Sequence, residues 1–98
     1  MLATLNKTKP EESKENRVLL GVWLRELRET LHLSQRNLAD ALHLDYYTFI
    51  SQLENGRGKI PAQRYTEWAS ALEQDPKTFV RKLLFYYEPE TYHILFDE

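Results

Sequence analysis

Twice in succession this chain sets a helix-capping residue between two apolar residues at staple spacing. Leu33-Ser34 is followed by Leu38, and Leu44-Asp45 is followed by Phe49. In each case the capping oxygen can accept hydrogen bonds from the free amides of the next turn, and the flanking apolar pair fixes the entry angle. The two caps stand eleven residues apart, which leaves room for a helix of only about two turns and a short connection. Helices that short are not stable alone in water. The pattern therefore requires a bundle in which longer helices hold two short ones.

The neighbours that could do so are visible in the periodicity. Leu20, Leu24, Leu27 and Leu31 recur at steps of three and four, with Trp23 beside them, which predicts a first helix from Arg17 to about His32. Ser34 starts a second helix, about Gln35 to Leu42, burying Leu38, Ala39 and Leu42. Asp45 starts a third, over about 45–55, burying Tyr46, Phe49, Ile50 and Leu53, and Gly56 ends it. Pro61 opens a fourth helix, to about Leu72, burying Tyr65, Trp68, Ala69 and Leu72. Asp75 and Pro76 open a fifth, to about Tyr87, with Phe79, Leu83 and Tyr87 on one side. Residues 88–98 form a short C-terminal extension, helix or strand, with Pro89 at a first-turn position pointing to helix. Residues 1–16 are polar and aperiodic and read as a mobile tail. Lys7, Lys9 and Lys14 are offset there by Glu11, Glu12 and Glu15. The fold class is all-α, with residues 17–87 as one domain.

Composition excludes several functions. With no cysteine there is no disulfide framework, zinc finger or cysteine nucleophile, which fits a reducing cytoplasm. No apolar run can cross a bilayer, and no membrane partner is expected. His32, His43 and His93 show no i,i+4 spacing, so no metal site is expected. Ser34 is a cap with no histidine at a suggestive spacing, so no catalytic residue, no cofactor and no enzymatic activity are expected. The net charge of −2 argues against nucleic acid as a partner when taken whole. Its distribution does not: residues 69–98 carry three basic and six acidic groups, whereas Arg57, Lys59 and Arg64 stand between Asn55 and Thr66 with no acid among them. Salt screens distant charges, so the local patch matters more than the total.

The outward face of the third helix is the informative one. A surface helix usually carries Lys, Glu and Arg. This one presents Tyr47, Thr48, Ser51, Gln52 and Asn55, which are uncharged and rich in hydroxyl and amide groups. Such groups match the donor and acceptor pattern of base edges in a major groove. Gln52 can bridge N6 and N7 of adenine, and Thr48 can set its methyl against a thymine methyl. Tyr47 and Ser51 can read bases or hold phosphates. Gln35, at the start of the second helix, sits where amides can grip a phosphate, and Arg57, Lys59 and Arg64 would neutralise the flanking backbone.

The stretch Leu24–Leu72 resembles the Cro/C1-type (XRE) helix-turn-helix family of DNA-binding proteins. The pieces that carry the likeness are "LRELRE" in the first helix, "LSQRNLADAL" across the second and "FISQLENGRGKIP" across the third and its exit loop. The resemblance implies a five-helix repressor-like domain and a sequence-specific transcriptional regulator, a repressor from a bacterium or its phage. It implies that Gln35 contacts phosphate, that Tyr47, Thr48, Ser51 and Gln52 read bases in double-stranded DNA, and that Asn55 lies at the phosphate edge. It also implies a structural ion pair between Arg28 and Glu54. The chain departs from the family where His43 replaces the glycine of the turn and the run from Leu42 to Gly56 is one residue longer. Tyr46 and Tyr47 can therefore exchange roles.

Five of the twelve aromatic residues, Phe85, Tyr86, Tyr87, Tyr92 and Phe96, fall in the last 14 positions. Apolar surface of that density marks an interface. Phe85, Tyr86, Tyr92, Ile94 and Phe96 are the expected contacts of a homodimer, which would demand a near-palindromic operator. The alternatives are that the tail folds back onto the first helix, or that the chain is an antitoxin or adaptor holding a protein partner there.

Overall fold

A computed structural model describes residues 10–97. The described chain is helical with no strand: α1 (Pro10–Thr30), α2 (Gln35–Ala41), α3 (Thr48–Glu54), α4 (Tyr65–Ala71), α5 (Pro76–Tyr87) and α6 (Pro89–Phe96). A 3₁₀ turn, Ala62–Arg64, leads into α4. The core is made of Leu20 and Leu24 from α1, Leu38 and Ala39 from α2, Ile50 and Leu53 from α3, Trp68 and Ala69 from α4, and Phe79 and Leu83 from α5. Leu42, Leu72 and Ile60, each just beyond a helix or in a loop, complete it. Ile60 is fixed by its amide, which donates to the Tyr87 hydroxyl at 3.1 Å. Burial pushes that phenol up to about 12, against the pull of the same amide.

Helix α1 begins at Pro10, seven residues before the expected Arg17. The expected tail is thus corrected for residues 10–16; residues 1–9, with Lys7 and Lys9, lie outside the described residues. Proline suits the first turn of a helix, and Glu12 complements its positive end. Adding turns to an existing helix is easy compared with nucleating one. A helical turn that buries nothing has no apolar period, so periodicity could not reveal it. On the solvent side of α1, Val18, Leu19 and Val22 are exposed.

The short helices are defined by their ends. Ser34 accepts from the Asn37 amide at 2.9 Å while Asn37 Oδ1 accepts from the Ser34 amide at 3.0 Å, a reciprocal cap on α2. Asp75 accepts from the Thr78 amide at 3.0 Å and from its hydroxyl at 3.1 Å, which holds the carboxyl below its usual range. Helices α1 to α4 close alike, with a left-handed residue whose amide, and the next one, return to carbonyls of the last turn. For α2 these bonds are His43 N–H to Asp40 at 3.1 Å and Leu44 N–H to Ala39 at 2.9 Å. The left-handed residues are His32 (φ 58°), His43 (φ 58°), Gly56 (φ 84°) and Glu73 (φ 56°). His43 thus adopts the left-handed conformation that favours glycine, at a cost of about 1–2 kcal/mol.

Helix α3 crosses α1 at Gly21. A Cβ at Gly21 would lie 2.5 Å from the Glu54 carbonyl oxygen and 2.6 Å from that of Leu53, closer than atoms can approach. Gly21→Ala must therefore push α1 and α3 apart. Its expected cost is about 1–3 kcal/mol, read as a lower urea midpoint with unchanged slope.

A candidate nucleic-acid interface

Helix α3 is seven residues long, about 10 Å, and begins two residues later than its expected first helical position. Asp45 is not its cap. Tyr47 occupies the cap position with near-helical backbone angles and makes no side-chain capping bond. The left-handed turn at His43 sends Leu44 inward and carries Asp45 and Tyr46 out of helical register. The expectation that Tyr46 is buried is corrected: its ring is 75% exposed, and that of Tyr47 is 51% exposed. A helical phase counted back from Ile50 places Tyr46 inward only if the helix reaches that far, and it does not.

Thr48, Gln52 and Asn55 are exposed and Ser51 is half-buried. Among the described residues the side chains of Thr48, Ser51 and Gln52 hold no hydrogen bond, so their donors and acceptors face solvent. Asn55 is tied back, donating from Nδ2 to the Ser51 carbonyl at 2.9 Å. Arg57 and Lys59 are exposed in the exit loop, with the Lys59 ammonium 4.9 Å over the Tyr87 ring.

The inward edge of α3 is held by charge. Arg28 grips both oxygens of Glu54, Nε to Oε2 at 2.7 Å and Nη2 to Oε1 at 2.9 Å, and donates from Nη1 to the Leu33 carbonyl at 2.8 Å. The two side chains are 9% and 6% exposed. The hydrogen-bonded carboxylate raises the Arg28 pKa against the opposing effect of burial. Gln35 donates to Glu54 Oε1 at 3.0 Å. The structure thus places Gln35, expected to meet phosphate, in this buried network. Arg64 is likewise engaged, with Glu67 at 3.1 and 3.2 Å and with the Leu42 carbonyl that ends α2. The Glu67 bond raises the Arg64 pKa and lowers that of Glu67.

One cation was missed by sequence reasoning. Arg36 is exposed on α2 and reaches the Asp45 carbonyl at 3.5 Å, at the entrance to α3. Nothing local marked it, because its place depends on how the turn folds. The polar face of α3 therefore has Arg36 beside its beginning and Arg57 just past its end.

The expected C-terminal contacts are divided by the structure. Helix α6 folds back onto α5, not α1. Phe85 stacks edge-on against Tyr86 and Tyr92, both at 5.1 Å, and Tyr92 lies 5.0 Å from Phe96. Tyr86, Tyr92 and Phe96 are half-buried in that stack, while Ile94 is 81% exposed and Leu95 and Phe85 remain exposed.

No protein-family model matches the chain, and no curated protein matches it. Among the described residues no group of three or more His, Asp or Glu side chains could hold a metal ion. No described helix is long and apolar enough to cross a membrane.

Removing Arg28 leaves the buried Glu54 carboxylate and the Leu33 carbonyl without its donors. Arg28→Met should cost about 3–5 kcal/mol in chemical denaturation, and the double change Arg28→Met, Glu54→Leu should recover most of that loss. Equal loss in the single and double variants would show that packing, not charge, dominates there.

Proposed function

We propose that the chain is a sequence-specific DNA-binding transcriptional regulator, a repressor of the Cro/C1 helix-turn-helix type, that reads the major groove with α3. The observation that carries this reading is the outward face of Thr48, Ser51 and Gln52, uncharged and unengaged, on a helix whose inner edge is locked to α1 and α2. Tyr47 borders that face at the N-terminal side. An α-helix, about 10–12 Å across with its side chains, fits a groove about 12 Å wide. Arg36, Arg57 and Lys59 supply the phosphate contacts on either side, and the engaged Gln35 and Arg64 hold the scaffold. Position comes from the phosphates and specificity from the base edges.

The enriched site should come from selection out of random duplex DNA at stated salt. On that site Gln52→Ala should weaken binding by about 1–3 kcal/mol while leaving non-specific binding nearly unchanged. Arg57→Ala should weaken all sequences alike and flatten the salt dependence by about one unit of slope. Equal effects of both changes on every duplex would overturn the assignment of Gln52 as a base reader.

The exposed Ile94 and Leu95 on α6 support a second element of the proposal, a homodimer joined through α6 on a near-palindromic operator. Two reading helices would then lie about 34 Å apart. Sedimentation at tens of micromolar should give a dimer for the native chain and a monomer for Ile94→Glu. A native monomer with an intact fold would instead favour an adaptor or antitoxin that offers Ile94 and Leu95 to another protein.

A further inference from the structure

Beyond the α3 face, α5 carries a second feature that the regulator reading does not use. Between α1 and α6, on the surface of α5, there is an open groove of about 430 Å³, whose lining includes the rings of Trp23, Phe85 and Tyr92 and the cations of Arg81 and Lys82. Among the described residues its lining holds no carboxylate. The volume is within the range of small-molecule sites, about 300–1,000 Å³. Its two cations stand over aromatic rings: Arg81 lies 4.3 Å over Phe96, and Lys82 lies 5.5 Å from the Trp23 ring and 5.6 Å from that of Tyr86. None of the ion pairs between described side chains involves either cation.

We propose that this groove binds a small aromatic carboxylate, with the ring against Trp23, Phe85 and Tyr92 and the carboxylate on Arg81 and Lys82. The composition argues for that class over its neighbours. Rings alone would suit a neutral aromatic, but two cations without an acid leave a positive potential that only an anion neutralises. Cations alone would suit phosphate, but three aromatic walls keep their apolar surface in water unless a flat apolar body covers it. Arg81 presents a planar fork that matches a carboxylate. Because the walls come from α1, α5 and α6, a bound ligand would also pin α6 to the rest of the bundle.

The test is a ¹H–¹⁵N NMR titration of the full chain with 1-naphthoate, 1-naphthalenemethanol and acetate. Naphthoate should bind with a dissociation constant of about 1 mM or tighter, with shifts confined to amides around Trp23, residues 78–86 and Tyr92. The neutral alcohol and acetate should each bind at least about tenfold more weakly. Lys82→Gln should reduce naphthoate affinity about tenfold with unchanged helical circular dichroism. Arg81→Gln should do the same, and Lys82→Gln remains decisive if loss of the Arg81–Phe96 contact disturbs α6. Equal binding of acid and alcohol, shifts centred elsewhere, or unchanged affinity in Lys82→Gln would each overturn the proposal. The groove lies on elements other than α3, so the outcome is independent of whether α3 reads DNA.

Discussion

One buried guanidinium determines which way α3 faces. Arg28 binds both oxygens of Glu54 at the last residue of α3 and also the carbonyl of Leu33, while Gln35, the first residue of α2, binds the same carboxylate. Three helices and a turn therefore share one hydrogen-bonded knot. Its net contribution to stability over an apolar substitute is small, because desolvation offsets the attraction. Its contribution to geometry is larger, because the planar, forked contact admits one orientation. At about 100° per residue, Gln52 falls about 160° around the helix from Glu54 and Thr48 about 120°. Turning Glu54 inward is thus the same act as turning the amide and hydroxyl groups outward.

That knot works only because the backbones come close enough for it. Gly21 lets α1 pass directly over the carbonyls of Leu53 and Glu54, where any side chain would collide. Two seven-residue helices cannot hold such a crossing through their own cooperativity. They depend on closures at their ends, and of the four such closures after α1 to α4 three place non-glycine residues, His32, His43 and Glu73, in the left-handed region. The cost is tolerated because each closure satisfies two amides and two carbonyls that would otherwise be left bare. A helix pair this short is consequently a product of the bundle, and its rigidity is the rigidity of α1 beneath it.

This division explains what could be read from the residues. Ser34 with α2, Asp75 and Pro76 with α5, and Gly56 after α3 are signals whose partners lie within four residues, so sequence alone located them. The start of α1 escaped because residues 10–16 are polar in sequence and offer no apolar period to read. Asp45 and Tyr46 were misplaced for a subtler reason. A capping residue and a staple pair are also compatible with a bend, and the left-handed His43 spent two residues turning before the helix could start. The polar face itself was legible, since Thr48, Ser51 and Gln52 could be counted back from Glu54, Asn55 and Gly56. The roles of Gln35, Arg64 and Arg36 were not. A long polar side chain can reach phosphate, carboxylate or carbonyl equally well, and only the packing of distant segments decides which one lies within about 3 Å.

Charge illustrates the same point at a larger scale. The surplus of acid in residues 69–98 looks like a bar to any polyanion, yet its distribution is uneven. Helix α5 carries Lys77, Arg81 and Lys82 and no acid, while Glu73 and Asp75 precede it and Glu88, Glu90 and Asp97 cluster around α6. Three of these acids are engaged locally: Asp75 accepts from the Thr78 amide, Glu88 from the Thr91 hydroxyl, and Asp97 pairs with His93. They lie around α4 to α6, whereas the cations around the polar face of α3 stand on α2 and the loop after α3. Since exposed charges interact over only about 10 Å at 0.1 M salt, a duplex lying along α3 would meet Arg36 and Arg57 at the ends of that helix, and the net charge of the molecule would be a poor guide to what it meets.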